Sequence, residues 1–370
     1  MRSVRKLVIA CTALAIAGIG MPTAFAGPAS AAPDTAPHAA PQAAGSTAFP
    51  GPGQYLHETY NDHGDVYKYS LYVPSTYRPA RPAPLVVLLH GCQTSADQRA
   101  ASSLFNDVAE QNGVITLYPD GDAFDRTVNQ QCWRGADFPG GETRGHGDAG
   151  AIAGMTQAVM GSWHVDSQRV YAMGMSSGGF ETSMLGADYP DLYAAIGVFS
   201  GAAYDRGPVG CVGPWIPAAD TATLARKAYQ EMGSRQRVVP TIFFHGDADP
   251  TVPYQCGRQA LEQWRQTDNK ALTARGLDTI PQQPTRTTNG TTPGGQSYTV
   301  EDYTRGPNGC LAQQFWTVHG MGHQWSGGSP DPAYAKMVDP NGPSASQAAW
   351  RFFSGVRMGD APCASESHGH

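Results

Sequence analysis

The stretch Gly174-Met175-Ser176-Ser177-Gly178, preceded by Val170 to Met173 and followed by Phe180 to Leu185, decides how this chain is read. The residues before it form a short apolar run of the kind found in buried strands, and those after it continue in a helical pattern. Glycines flank the serine because a sharp turn from strand into helix leaves no room for side chains against the neighbouring backbone. A serine on such a turn presents its hydroxyl at the end of a sheet, where it is a candidate nucleophile. The pentapeptide alone is weak, since 44 of the 370 residues are glycine. Its place between a strand and a helix carries the reading.

Working outward, further short apolar runs alternate with helical patterns. Candidate strands are Tyr69 to Val73, Leu85 to Leu89, Val114 to Tyr118, Ala195 to Phe199, Thr241 to Phe244 and Phe315 to Val318. Ile152, Met155, Val159 and Trp163 recur at helical spacing, a stripe expected in the core. Helices are also expected from about Thr251 to Gln266 and from about Ser346 to Phe353, the latter capped by Ser344. Alternation of this kind predicts the α/β class, a mostly parallel sheet with helices on both faces. The stretch from Thr267 to Gly309 keeps no strand or helix period and is expected to be a loop insertion beside the site.

The N-terminus has Arg2, Arg5 and Lys6 before an apolar run from Leu7 to Met21, then Ala24-Phe25-Ala26. This predicts an export signal over residues 1–26 and an extracellular protein. Gly18, Gly20 and Pro22 interrupt the run, which argues against a membrane anchor. A lipobox reading of Val8-Ile9-Ala10-Cys11 is the minor alternative, because the apolar core continues past the cysteine. Residues 27–53 are rich in Ala, Pro, Gly and Ser and read as a flexible leader, which leaves 54–370 as one catalytic domain.

Without the signal the chain has 22 basic and 31 acidic residues, a net charge of −9, so nucleic acid is excluded as a partner. The six cysteines that remain, Cys92, Cys132, Cys211, Cys256, Cys310 and Cys363, predict three disulfides in an exported chain. None shows the C-x-x-C spacing of a zinc ribbon, so no metal is expected. No cofactor is expected either, and the chain is expected to be a monomer.

A serine hydroxyl needs a histidine base and a carboxylate that orients it, and in this strand-turn-helix context the order is serine, acid, histidine. The strand Thr241 to Phe244 leads into His245-Gly246-Asp247-Ala248-Asp249-Pro250-Thr251-Val252, which places two acids on one turn. Asp249 is preferred and Asp247 competes; spacing does not separate them, and the bland reading makes one of them a helix cap. Of the histidines that follow, His323 lies in the glycine-flexed Gly320-Met321-Gly322-His323-Gln324-Trp325 and is the expected base. His319 is expected to be packed at a strand end, and His368 and His370 to be solvated in a polar tail. The negative oxygen of a tetrahedral intermediate needs donors, expected from the amides of Ser177 and of Cys92 in His90-Gly91-Cys92-Gln93. His90 is expected to be packed.

At this point the residues resemble the extracellular polyhydroxybutyrate depolymerase family of esterases, with feruloyl and acetylxylan esterases as relatives, over about Tyr55 to Gly355. The resemblance rests on Leu89-His90-Gly91-Cys92, Cys132-Trp133, Gly147-Asp148-Ala149, Gly174 to Gly179, Tyr189-Pro190-Asp191, Ser200-Gly201, His245 to Val252, Gly322-His323-Gln324-Trp325 and Gly342-Pro343-Ser344. It implies the α/β-hydrolase fold, a triad of Ser176, Asp249 and His323, and the Cys92 and Ser177 amides as oxyanion donors. It also implies that aromatic rings such as Trp133 line the substrate crevice; Trp325, close to the base, shares that reading, set against the bland one of packed tryptophans. By the same resemblance Cys92 pairs with Cys132, Cys211 with Cys256 and Cys310 with Cys363. The implied activity is ester hydrolysis through an acyl-enzyme on a polyester or ester-decorated polymer. A short-chain polyhydroxyalkanoate is favoured, and feruloyl or acetyl groups on plant cell wall polysaccharide are the alternative. A non-catalytic secreted binding protein of the same fold is the reading from another class. Polymer-degrading members often append a substrate-binding domain, which the chain's length is not expected to accommodate.

Overall fold

A computed structural model describes residues 52–62, 64–121, 131–133, 142–213, 216–306 and 309–359, all in one unit of the chain. The expected export signal, nearly all of the leader, Cys363 and the tail histidines lie outside the described residues.

The described chain opens on a hairpin, β1 (Gln54–Asp62) and β2 (Asp65–Val73), followed by β3 (Ala83–Leu89), α1 (Ala96–Ser103), α2 (Phe105–Asn112) and β4 (Ile115–Asp120). Next come α3 (Gly147–Ser162), β5 (Val165–Met175), α4 (Ser177–Asp188), β6 (Ala195–Phe199), α5 (Gly207–Cys211), α6 (Thr221–Glu231) and β7 (Thr241–Gly246). The last third holds α7 (Tyr254–Thr273), β8 (Arg286–Thr291), β9 (Ser297–Arg305), β10 (Cys310–Val318), the short pair β11 (Trp325–Ser326) and β12 (Val338–Asp339), and α8 (Ala345–Ser354). Among the described residues ten strands form one sheet in the order β1-β2-β4-β3-β5-β6-β7-β10-β9-β8. The six from β4 to β10 are mutually parallel, and both margins are antiparallel. This is the α/β-hydrolase architecture expected from the sequence.

Alternation along the central strands explains the two helical layers. Leu85, Val87 and Leu89 of β3 face one core, shared with α3, α4, α6 and α7, while Val86 and Leu88 face another, shared with α1, α2 and α8. Strand β5 divides likewise, with Val170 and Ala172 on the first face and Tyr171, Met173 and Met175 on the second. Tyr171 stacks on Phe353 of α8 at 4.9 Å. A strand covered on both faces reads as a continuous apolar run, which is why the central strands are visible in the sequence.

Each of the seven expected strands overlaps an observed one, and Ser344 caps α8 by accepting the Gln347 amide. The expected loop over 267–309 is corrected: α7 continues to Thr273, and β8 and β9 form a hairpin that extends the sheet beyond β10. The reason is exposure. Strand β8 is at the sheet edge and almost wholly solvated, so Arg286 to Thr291 carry no apolar period to read. Strand β1, also unexpected, pairs along a margin where Tyr55 alone is buried.

Backbone approaches backbone closely at the turn from β5 into α4. A Cβ on Gly174 would lie 2.4 Å from the Gly178 carbonyl oxygen, and one on Gly178 would lie 2.4 Å from that of His90. Gly161, near the end of α3, has open space around the same position. Gly178→Ala is therefore expected to destabilise the protein by about 1–3 kcal/mol or more, and Gly161→Ala to leave it unchanged or stabilise it by up to about 1 kcal/mol. Thermal denaturation of the two variants checks the opposite signs.

Candidate active site

Ser176 joins β5 to α4 with φ 58° and ψ −126°, a conformation that costs a non-glycine residue about 1–3 kcal/mol. The surroundings impose it. The Ser176 amide donates to the Phe199 carbonyl at 3.0 Å, and the Ser176 carbonyl accepts from the Gly179 and Phe180 amides at 2.8 and 3.0 Å. Ser176 is half-buried, whereas Ser177 beside it is buried at the first position of α4, where its amide belongs to the open N-terminal turn of the helix.

The segment after β3 passes directly over the serine: a Cβ on Gly91 would lie 3.2 Å from Ser176 Cβ and 3.7 Å from its Oγ. Cys92, the next residue, is disulfide-bonded to Cys132. His90 is packed as expected, fully buried, with Nδ1 donating to the Gly91 carbonyl and Nε2 accepting the Gly121 amide. That pattern fixes a neutral imidazole. Trp133 requires correction as a substrate-lining ring. It is fully buried, its indole NH donates to the His90 carbonyl at 2.8 Å, and its ring lies 4.9 Å from that of His90. The tryptophan supports the loop from behind.

The acid turn follows β7. Asp249 is buried; its Oδ1 accepts the Thr251 and Val252 amides, both at 2.9 Å, and its Oδ2 accepts from His323 Nδ1 at 2.7 Å. Burial, the largest single influence, pushes the Asp249 carboxyl up. The hydrogen bond from His323, the neighbouring imidazoles of His323 and His245, and the Val252 amide outweigh it and hold the group below its ordinary range. With Nδ1 engaged, His323 has Nε2 as its outward nitrogen. Asp247 is spent elsewhere, accepting from His319 Nδ1 at 2.8 Å and from the Gly320 amide at 2.6 Å. His319 is therefore corrected too: it is half-exposed and hydrogen-bonded to Asp247, because β10 ends one residue before it.

Trp325 is likewise corrected. It is buried at 1% exposure, 5.0 Å from the ring of Phe199 and under the guanidinium of Arg99, so it anchors the end of the loop that carries His323 and presents no exposed face. The sequence reading missed His245, whose Nε2 donates to the Val252 carbonyl at 2.7 Å and closes the acid turn. Burial lowers its pKa and keeps it neutral. A histidine at the carboxyl end of a central strand was the available signal. Cys211 pairs with Cys256, and this disulfide packs with Val252 of the acid turn and Phe180 of α4. Cys310 is also disulfide-bonded, and Cys363, its implied partner, lies outside the described residues. Among the described residues Glu142, Asp148 and Glu181 bring buried carboxylate oxygens within 4.8 Å of one another. Glu142 there accepts the Asp148 amide at the start of α3, which is helix capping, and the group is given no metal role.

The profile of a family described as Esterase PHB depolymerase matches residues 67–212. Two feruloyl esterases B are similar, that of Thermothelomyces thermophilus at 33% identity over 199 residues and that of Neurospora crassa at 32% over 206. The matches take in 49 and 52% of this chain, which spans 64 and 67% of the length of those relatives. An acetyl xylan esterase from Aspergillus awamori shares the fold, with a TM-score of 0.59 at 21% identity over 82% of this chain and 99% of that one. The chain belongs to the α/β-hydrolase esterase superfamily related to polyhydroxybutyrate depolymerases, feruloyl esterases and acetylxylan esterases.

Proposed function

We propose that the chain is a secreted serine esterase in which Ser176 attacks the ester carbonyl, His323 moves the proton and Asp249 orients the imidazole. The observation that carries this reading is the 2.7 Å hydrogen bond from His323 Nδ1 to Asp249, on the loops that follow the last two parallel strands, while Ser176 occupies the elbow of the central one. The negative oxygen of the intermediate is assigned to the amides of Cys92 and Ser177. In the first half of the reaction the serine proton passes to His323 Nε2 and then to the departing alcohol. In the second half water gives its proton to the same nitrogen and releases the acid.

The substrate reading turns on two observations. Trp133 and Trp325 are buried, which removes the tryptophan-bearing apolar surround that favoured a polyester. The similar proteins named above are feruloyl esterases and an acetyl xylan esterase. Feruloyl or acetyl esters on plant cell wall polysaccharide are accordingly the first substrate class. Short-chain polyhydroxyalkanoate stands second, on the description of the matching family profile.

Ser176→Ala is expected to lower kcat on p-nitrophenyl acetate about a millionfold while the thermal transition stays in place; activity within tenfold of the parent would remove the serine from its role. Release of ferulate or acetate from xylan is expected to exceed clearing of a polyhydroxybutyrate suspension at equal enzyme, and the reverse order would restore the polyester. Asp249 and Asp247 are both held below the ordinary carboxylate range, so their share of stability is complete above a pH of about 3.9 and is lost as pH falls through their own lower values. The melting temperature is expected to fall steeply only below that pH, and less steeply in Asp249→Asn.

A further inference from the structure

Two aspartates stand two residues apart on the turn after β7, and two histidines stand four apart after β10, and they pair in parallel: Asp249 with His323, Asp247 with His319. The second pair touches no part of the proposed triad. Its contacts define the frame in which His323 is held.

The loop that carries His323 has few backbone ties of its own. At its start the Asp247 amide donates to the Val318 carbonyl at 3.2 Å and the Ala248 amide to that of Met321 at 3.2 Å. At its far end the Trp325 amide donates to Met337 as β11 pairs with β12. Gly320 turns the chain with φ +74°, and its amide is taken by Asp247 Oδ1. Asp247 therefore fixes both the backbone and the side chain at the point where the loop leaves the strand.

The pair continues outward. His319 Nε2 lies 2.9 Å from Thr299 Oγ1 on β9, and Thr299 donates its hydroxyl proton to Asn289 Oδ1 on β8 at 2.7 Å. The imidazole of His319 thus bridges the carboxylate of Asp247 and the hydroxyl of Thr299. Gln296, just before β9, and Ser297, its first residue, hold the His319 backbone from the same side. A continuous hydrogen-bonded line runs from the acid turn to the edge hairpin.

We propose that Asp247 and His319 are positioning residues that clamp the loop of His323 to the acid turn and to the β8–β9 hairpin, setting the placement of the base over Ser176. The proposal rests on the triad reading above. Loss of the clamp leaves the Asp249–His323 bond intact but lets the loop that carries it shift, and displacements near 1 Å at a reacting geometry are worth up to about a hundredfold in rate. The effect falls on kcat, since neither residue belongs to the proposed machinery that meets substrate.

The test uses the full mature chain with p-nitrophenyl acetate, kcat being expressed per site titrated with a fluorophosphonate so that unfolded protein does not count. Asp247→Ala and His319→Ala are expected to lower kcat by about 10- to 100-fold with KM within twofold of the parent. The double variant should be no slower than the worse single one, because the two act as a unit. Asp247→Asn and His319→Asn, which keep a hydrogen-bonding group in place of the carboxylate or the imidazole, should recover most of the rate. If the parent protein takes no fluorophosphonate, the triad reading itself fails. If the parent is labelled and both alanine variants keep kcat within twofold, or if the two losses multiply in the double variant, the clamp is refuted. Should an alanine variant not fold, the asparagine variants decide: kcat below a tenth of the parent with unchanged KM refutes recovery by hydrogen bonding, and kcat near the parent upholds it.

Discussion

Everything at the proposed site depends on one steric constraint, the contact of bare backbone with bare backbone around Ser176. Strands β3, β5 and β6 converge at their carboxyl ends so closely that α4 can start only where Gly174, Gly178 and Gly179 leave out a Cβ, with Gly179 set against the Phe199 carbonyl. The left-handed φ of Ser176 is the consequence. A few kcal/mol of local strain persists because the hydrogen bonds to Phe199 and from Gly179 and Phe180 admit no relaxed alternative, and because both helical layers are packed on the strands that end there. Gly91 extends the same logic to the loop over the serine, where the absence of a side chain lets the backbone come close to the Ser176 side chain.

Against this rigid centre the other two groups arrive on loops, and the structure compensates for the lower intrinsic order of loops with cross-ties. Asp249 is held by two amides of its own turn, His245 closes that turn from below, and the Cys211–Cys256 disulfide packs against it. The loop over the serine is tied by Cys92–Cys132 and by the indole of Trp133. The base loop lacks a disulfide among the described residues and relies instead on Asp247, His319 and buried Trp325. Three different chemistries therefore achieve the same end, restricting a loop at its root while leaving its tip accessible.

What the sequence made legible follows the same physics. Central strands such as Leu85 to Leu89 are buried on both faces and read as unbroken apolar runs; edge strand β8 is bathed in water and reads as nothing. The serine was legible because its strain demands glycines at fixed positions. Asp249 could not be told from Asp247 by spacing, because both lie on one turn and the difference is only which histidine each faces, a matter of tertiary register between β7 and β10. The tryptophans were misread as substrate platforms for a related reason. Proximity to site motifs in sequence says nothing about which side of the loop a ring occupies, and here both rings lie on the inner side, where an indole fills volume and its loop gains support.

That misreading bears on chemistry as well as on packing. A crevice lined by exposed indoles would suit an apolar polyester chain, since stacking on flat rings needs no directional partner. With both rings turned inward, the groups beside the loop of His323 are polar: His319 bonded to Asp247 and the threonine-rich β8–β9 hairpin. The hairpin that the sequence left featureless thus lies beside the loop that carries the proposed base, tied to it through the His319 amide.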